Sequence, residues 1–166
     1  PPRRKATHAV ECCWFTWLRG LRPVWYYRNG YLPYGMKASI AGMAGPVIWL
    51  FGLAALVGLL WHQVSGRGSR QGAGVLILYG TQLIPWMLVT RCTFLYHYFP
   101  SSMFCLAALA LVLARMKHVD WAKKIAAGLC VVALVLFVLY YPALSGLPIP
   151  AWWADALNAL PSFGFY

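Results

Sequence analysis

Arg91-Cys92-Thr93-Phe94-Leu95-Tyr96-His97-Tyr98-Phe99-Pro100-Ser101-Ser102 joins two long apolar runs, one ending at Thr90 and the other beginning after Tyr98. A link this short between runs of membrane length is a turn at a membrane face and too brief to be a domain. It also holds the only cationic and imidazole side chains between those runs. Arg91 supplies a guanidinium, Tyr96 and Tyr98 two phenols, and His97 an imidazole, all at headgroup depth. That set suits a phosphate ester better than bare lipid.

The runs on either side follow the same logic. No charged residue occurs between Lys37 and His62, and Ala44 to Trp61 is long enough to cross hydrocarbon, which takes about 20 residues. Pro46 falls near the start of this first span, where a missing amide donor costs least, and Gly52 and Gly58 can admit a neighbouring helix. A basic loop from His62 to Arg70 leads to a second span, Ala73 to Thr90, with Pro85 expected to kink it. The third span runs from Phe99 to Ala114. Arg115 to Lys124 is a compact basic loop, and the fourth span, Ile125 to Tyr141, ends on Tyr140-Tyr141-Pro142.

The flanks read as interfacial. Trp14, Trp17, Leu18 and Leu21 repeat at the spacing of one helical face beside Arg19 and Arg22, which predicts a helix lying on the membrane surface. Trp25, Tyr26, Tyr27, Tyr31 and Tyr34 extend an aromatic girdle. The expected fold is an all-α membrane protein: an interfacial segment over 1–37, about four transmembrane helices over 38–141, and a surface cap over 142–166 rich in Pro and aromatics.

With 61% hydrophobic and 10% charged residues, the 166-residue chain falls outside the range of ordinary soluble domains. Its net charge of +11 comes from cations scattered around apolar runs, with no basic face for nucleic acid. Arg67, Arg70, Arg115, Lys117, Lys123 and Lys124 crowd the two basic loops, whereas the 91–102 turn has only Arg91. The positive-inside rule therefore makes the loops cytoplasmic and the turn, with both termini, extracytoplasmic. Cys12, Cys13, Cys92, Cys105 and Cys130 show no ligand or CxxC spacing and read as free thiols. Pro1-Pro2-Arg3-Arg4-Lys5 has neither an initiator Met nor a signal-peptide pattern, so the natural start is expected further upstream.

Phe94-Leu95-Tyr96-His97-Tyr98-Phe99-Pro100-Ser101 resembles the hallmark segment of the C-terminal four-helix region of protein O-mannosyltransferases. Leu21-Arg22-Pro23-Val24-Trp25-Tyr26-Tyr27 and Ser39 to Trp49 resemble the approach to that region, and Tyr140-Tyr141-Pro142-Ala143-Leu144-Ser145-Gly146 with Trp152 its closing tail. The resemblance implies part of a GT-C type glycosyltransferase in a cell membrane. Its family moves mannose from a polyprenyl phosphate mannose donor to Ser or Thr hydroxyls of acceptor proteins. No β-trefoil sugar-recognition motif occurs inside the chain, which favours the shorter bacterial type. The resemblance further implies that the catalytic acid sits in an N-terminal half of the enzyme, absent from these residues.

That chemistry needs a base for the hydroxyl, a holder for the leaving phosphate and a groove for the lipid tail. Of the three carboxylates, Asp120 lies on the predicted cytoplasmic side, and Glu11 and Asp155 lie in surface segments with no partner spaced to tune them, so no catalytic residue is expected here. Arg91 is the first candidate for a phosphate contact, with snorkelling the plain alternative. His97, flanked by Tyr96 and Tyr98, is the candidate for a phosphate or sugar hydroxyl, with aromatic-belt anchoring the alternative. His8, His62, His97 and His118 are too dispersed for a metal site, and no cofactor is expected. A non-catalytic helical scaffold or small transporter is the rival reading. The spans lack the mid-membrane acid or base that an ion-coupled transporter uses.

Overall fold

The structure is a computed structural model describing residues 14–18, 24–43, 45–89, 93–116 and 118–158. In chain order the elements are α1 (Trp14–Trp17), β1 (Val24–Leu32), β2 (Met36–Gly42), α2 (Pro46–Val64), α3 (Arg70–Leu88), α4 (Phe99–Arg115), α5 (Asp120–Leu144), β3 (Ile149–Pro150) and α6 (Ala151–Asn158). The protein is mostly helical, and α2 to α5 fall where the four apolar spans were expected. The all-α expectation fails at the flanks, where a three-stranded antiparallel sheet of order β1-β2-β3 stands. Two helical stretches, Leu95–Arg115 and Asp120–Leu144, are long and apolar enough to cross a membrane; Trp49–Val64 is a shorter apolar helix. The chain divides into two compact units.

One unit comprises Pro1–Met43, Trp86–Tyr98 and Pro142–Tyr166. The predicted surface helix is described only as the single turn α1; Arg19, Leu21 and Arg22 lie outside the described residues. The aromatic girdle that follows is a strand. Val24-Trp25-Tyr26-Tyr27 are strand formers, and Pro33-Tyr34-Gly35 turns the chain back, with Gly35 in the left-handed region at φ 66°. Irregularities between Trp25 and Tyr27 and between Asn29 and Leu32 break the register. Tyr26 is left unpaired at the first of these and is 61% exposed. The tail then pins itself to β2. Ser39 Oγ donates to the Ala143 carbonyl at 2.5 Å, Gly146 N–H donates to the Ser39 carbonyl at 2.9 Å, and Lys37 pairs with Ile149 in the ladder. Gly146 has φ 86°, and a Cβ there would meet Ile40 Cγ1 at 3.1 Å, so the turn needs glycine twice over.

The other unit comprises Ala44–Pro85 and Phe99–Tyr141. Its core is the α2–α4 pair. Gly52, Ala55, Leu56 and Leu59 form the buried stripe of α2, and Ser101, Cys105 and Ala108 that of α4. Both stripes carry small residues, which lets the backbones approach: a Cβ on Gly52 would lie 2.7 Å from Cys105 Cβ and 3.0 Å from its carbonyl. By contrast α5 is apolar on all sides and almost wholly exposed, with Val131, Leu134, Phe137 and Val138 each 60% or more accessible. Such a helix is not stable facing water. Cys105 and Cys130 are free thiols as expected; Cys12, Cys13 and Cys92 lie outside the described residues.

The close approach gives a test. The Gly52→Val variant should destabilise the helix pair by about 1–3 kcal/mol, because the obstructing atoms are backbone and cannot move aside. Gly58→Ala, where a Cβ meets nothing within 4 Å, should instead stabilise by about 0.5–1 kcal/mol through helix propensity. Denaturant titration of the detergent-solubilised protein, followed by far-UV circular dichroism, measures both.

Candidate functional site

The turn between α3 and α4 is a single 3-10 turn, Leu95–Tyr98, running directly into α4. Leu95 and Tyr98 are its buried anchors at 2% and 1% exposure. At 3-10 spacing residues three apart share a face, so these two go inward together while Tyr96 is left exposed and His97 half-buried. His97 then binds its own turn. Its backbone N–H donates to the Phe94 carbonyl at 3.1 Å, and Nδ1 lies 3.1 Å from the Phe94 N–H and 3.0 Å from the Phe94 carbonyl. The carbonyl is already engaged by the turn, so Nδ1 fits best as acceptor of the Phe94 N–H. The ring proton is thereby assigned to Nε2, the donor that the ring keeps beyond its own turn.

Aromatic rings fix the plane of that imidazole. Tyr96 and Trp86 each stand 4.2 Å from it, centroid to centroid, and Trp17 is stacked at 6.2 Å. Phe94 and Tyr96 stack on one another at 5.5 Å with their planes 13° apart. Trp17, fully buried, also packs on Tyr98 at 6.2 Å. The result is a rigid imidazole backed by indoles, with a 41% exposed tyrosine beside it. Aromatic faces and a fixed N–H donor are the elements with which proteins hold sugars and phosphate esters.

The expected residues are thus partly gathered. Tyr96 is exposed with the half-buried His97 packed beside it, whereas Tyr98 is an interior residue of the turn, and Arg91 lies outside the described residues. Sequence reading missed Trp86, which follows Pro85 at the end of α3, and it placed Trp17 on a surface helix when its ring is core. Asp155, expected without a partner, forms an ion pair with Lys37 at 2.8 Å; the 118-residue separation hid it. Asp120 reaches only Lys123, at 4.0 Å. Glu11 is outside the described residues. Among the described residues no three His, Cys, Asp or Glu side chains converge as a metal site would need.

Helices of membrane length, a sheet at the flanks and an aromatic-backed histidine turn define a membrane-embedded module rather than a free-standing soluble enzyme. The family described as the C-terminal four TMM region of protein-O-mannosyltransferase matches residues 2–163, and the chain belongs to it. The structure of the S. cerevisiae protein O-mannosyltransferase Pmt1-Pmt2 complex bound to the sugar donor shares the fold, with a TM-score of 0.77 at 16% identity. That likeness covers 94% of this chain and 24% of the yeast chain, so the chain spans about a quarter of its solved relative. No curated protein matches it in sequence.

The tautomer can be measured. In protein labelled with 15N at histidine, above the titration range of the ring, His97 should show the Nε2–H form. A predominant Nδ1–H form would mean that Nδ1 donates to the Phe94 carbonyl and that Nε2 faces outward as an acceptor. His97→Asn should keep the turn, since its amide oxygen can accept from Phe94 N–H. His97→Ala should cost about 1 kcal/mol of stability.

Proposed function

We propose that the chain is the C-terminal membrane module of a glycosyltransferase that moves mannose from polyprenyl phosphate mannose to Ser or Thr hydroxyls of acceptor proteins. The observation that carries this reading is the family match over residues 2–163, inside which the His97 turn falls. In this reading α2 to α5 all cross the bilayer, with the basic loops cytoplasmic and residues 1–37, the turn and the 142–166 cap extracytoplasmic. The exposed apolar faces of α5 support membrane embedding, and the six loop cations support the orientation.

Within the module the roles divide by chemistry. Arg91 and His97 Nε2–H hold the donor phosphate or a sugar hydroxyl, Tyr96 offers a ring face to the sugar, and Tyr98 anchors the turn that presents them. The hydroxyl's base comes from the N-terminal half of the enzyme. Asp155 is held by Lys37, and Asp120 belongs to a basic loop, so neither is suited to that step. No metal or organic cofactor enters this mechanism.

Two measurements test it. The 166-residue chain alone, supplied with donor lipid and a Ser/Thr-rich peptide, should transfer no mannose, since general-base assistance is worth about 10²- to 10⁴-fold. Robust turnover would return the base to Glu11 or Asp155.

In the complete enzyme, Arg91→Lys separates phosphate binding from snorkelling, because both side chains snorkel but only Arg offers a planar fork. A lost charge-assisted hydrogen bond of about 1.5–3 kcal/mol should lower kcat/KM roughly 10- to 150-fold. Arg91→Ala should cost more. Unchanged activity in both well-folded variants would remove Arg91 from the site.

A further inference from the structure

At the opposite end of α4 from the His97 turn, the α2–α4 pair opens into a groove. Gly52 meets Cys105 at the pair's tight point. Beyond it, Ala54 and Gly58 of α2 and Leu109 and Val112 of α4 line a cleft of about 380 Å³, with Arg115 and His62 at its mouth. Both linings advance in the same chain direction, so the helices run parallel and their last turns share the mouth. From Phe51 to His62 the groove follows 12 residues of α2, about 16 Å at 1.5 Å per residue step.

The mouth is cationic and uncompensated. The Arg115 guanidinium donates to Ser69 Oγ, which also accepts from the Gly72 N–H at 3.0 Å. This fixes the side chain yet uses one of its five N–H donors. Arg67, in the loop before Ser69, and Arg70, the first residue of α3, flank Ser69 in the chain, both exposed. Among the described residues no carboxylate pairs with any of the three, and the unit's described acid, Asp120, points to Lys123.

We propose that this groove binds one anionic glycerophospholipid, its headgroup phosphate on Arg115 and an acyl chain along the Gly58 face. Charge complementarity selects the occupant. Apolar walls accept any chain, but a guanidinium fixed beside a histidine, held by a Ser69 that two further arginines flank in the chain, accepts an anion, and basic pockets between membrane helices take such headgroups. Arg115 closes α4, 17 residues and about 25 Å of helix from Phe99. The proposed lipid is a structural one, and the polyprenyl phosphate probe below distinguishes it from a donor lipid. The inference rests on α2 and α4 being in the membrane and is independent of mannose transfer.

Native mass spectrometry of the full 166-residue chain in detergent tests it, with dioleoyl phosphatidylglycerol, dioleoyl phosphatidylcholine, a polyprenyl phosphate and inorganic phosphate as separate probes. One phosphatidylglycerol should be retained at least fivefold better than phosphatidylcholine. Arg115→Gln should remove about fivefold of that preference, the contribution of one cation near a phosphate. Gly58→Phe, which places a ring in open space, should lower retention of both lipids; Ala54→Phe, on the same wall, serves if the first variant misfolds.

Equal retention of the two phospholipids, or a preference surviving both kinds of variant, would overturn the proposal and leave ordinary lipid contact. Displacement by inorganic phosphate alone would reduce the site to an anion site. Stronger retention of polyprenyl phosphate would reassign it to that lipid, and a dimer abolished by Gly58→Phe would assign the groove to a second copy of the chain.

Discussion

In hydrocarbon every backbone N–H and C=O must find its partner within the protein, and that constraint sorts this chain. A helix satisfies it residue by residue, which is why α5 can expose Val131 to Val138 on several sides and still be stable in lipid. A three-stranded sheet with open edges does not. The hairpin of β1 and β2, closed on one side by only the two residues of β3, fits where water or a partner can meet its outer strand. The sorting into helical and mixed units thus follows from where unpaired backbone groups can be tolerated.

The turn at His97 is placed by this sorting. A chain leaving one helix and entering another must satisfy the last carbonyls of the first and the first amides of the second within a few residues. Here one side chain takes part in that work: His97 uses its backbone N–H and Nδ1 on Phe94, and Trp86 and Trp17 hold its ring in plane. A ring held by its own turn loses little freedom when a ligand meets Nε2. The same contacts that close the turn therefore preorganise its outward donor.

The four long helices were legible because their signal is local: charge-free runs of membrane length bounded by basic loops. Expected spans such as Ala44 to Trp61 and Ile125 to Tyr141 differ from α2 and α5 by a few residues at each end, as capping and fraying make usual. The sheet was misread because Trp25, Tyr26 and Tyr27 satisfy two physical demands at once. Aromatic residues are favoured both at membrane interfaces and in strands; only Pro33-Tyr34-Gly35 between the two runs marked a hairpin. The Lys37–Asp155 pair and the seat of Ser39 on Ala143 were out of reach, since contacts across more than a hundred residues leave no periodicity to read. In the turn, Tyr96 and His97 were singled out by composition. Trp86 was not, because its role depends on the path of the chain after Pro85.

The carboxylates tie fold to function. A general base must be free to meet its substrate, and the Asp155 carboxylate is engaged by the Lys37 ammonium at 2.8 Å. Asp155 is instead a clip: Lys37 sits in the ladder opposite Ile149, and Asp155 lies in α6, which follows β3 directly, so the ion pair fastens α6 to the strand that β3 already joins. The pair is partly exposed, 22% at Lys37 and 62% at Asp155, so its energetic worth is small, in the range of about 0–1 kcal/mol. Its value is geometric, adding a side-chain tie where the β2–β3 ladder is only two residues long. Asp155 is thus committed to fastening the tail, while the described turn at His97 gathers aromatic rings rather than carboxylates.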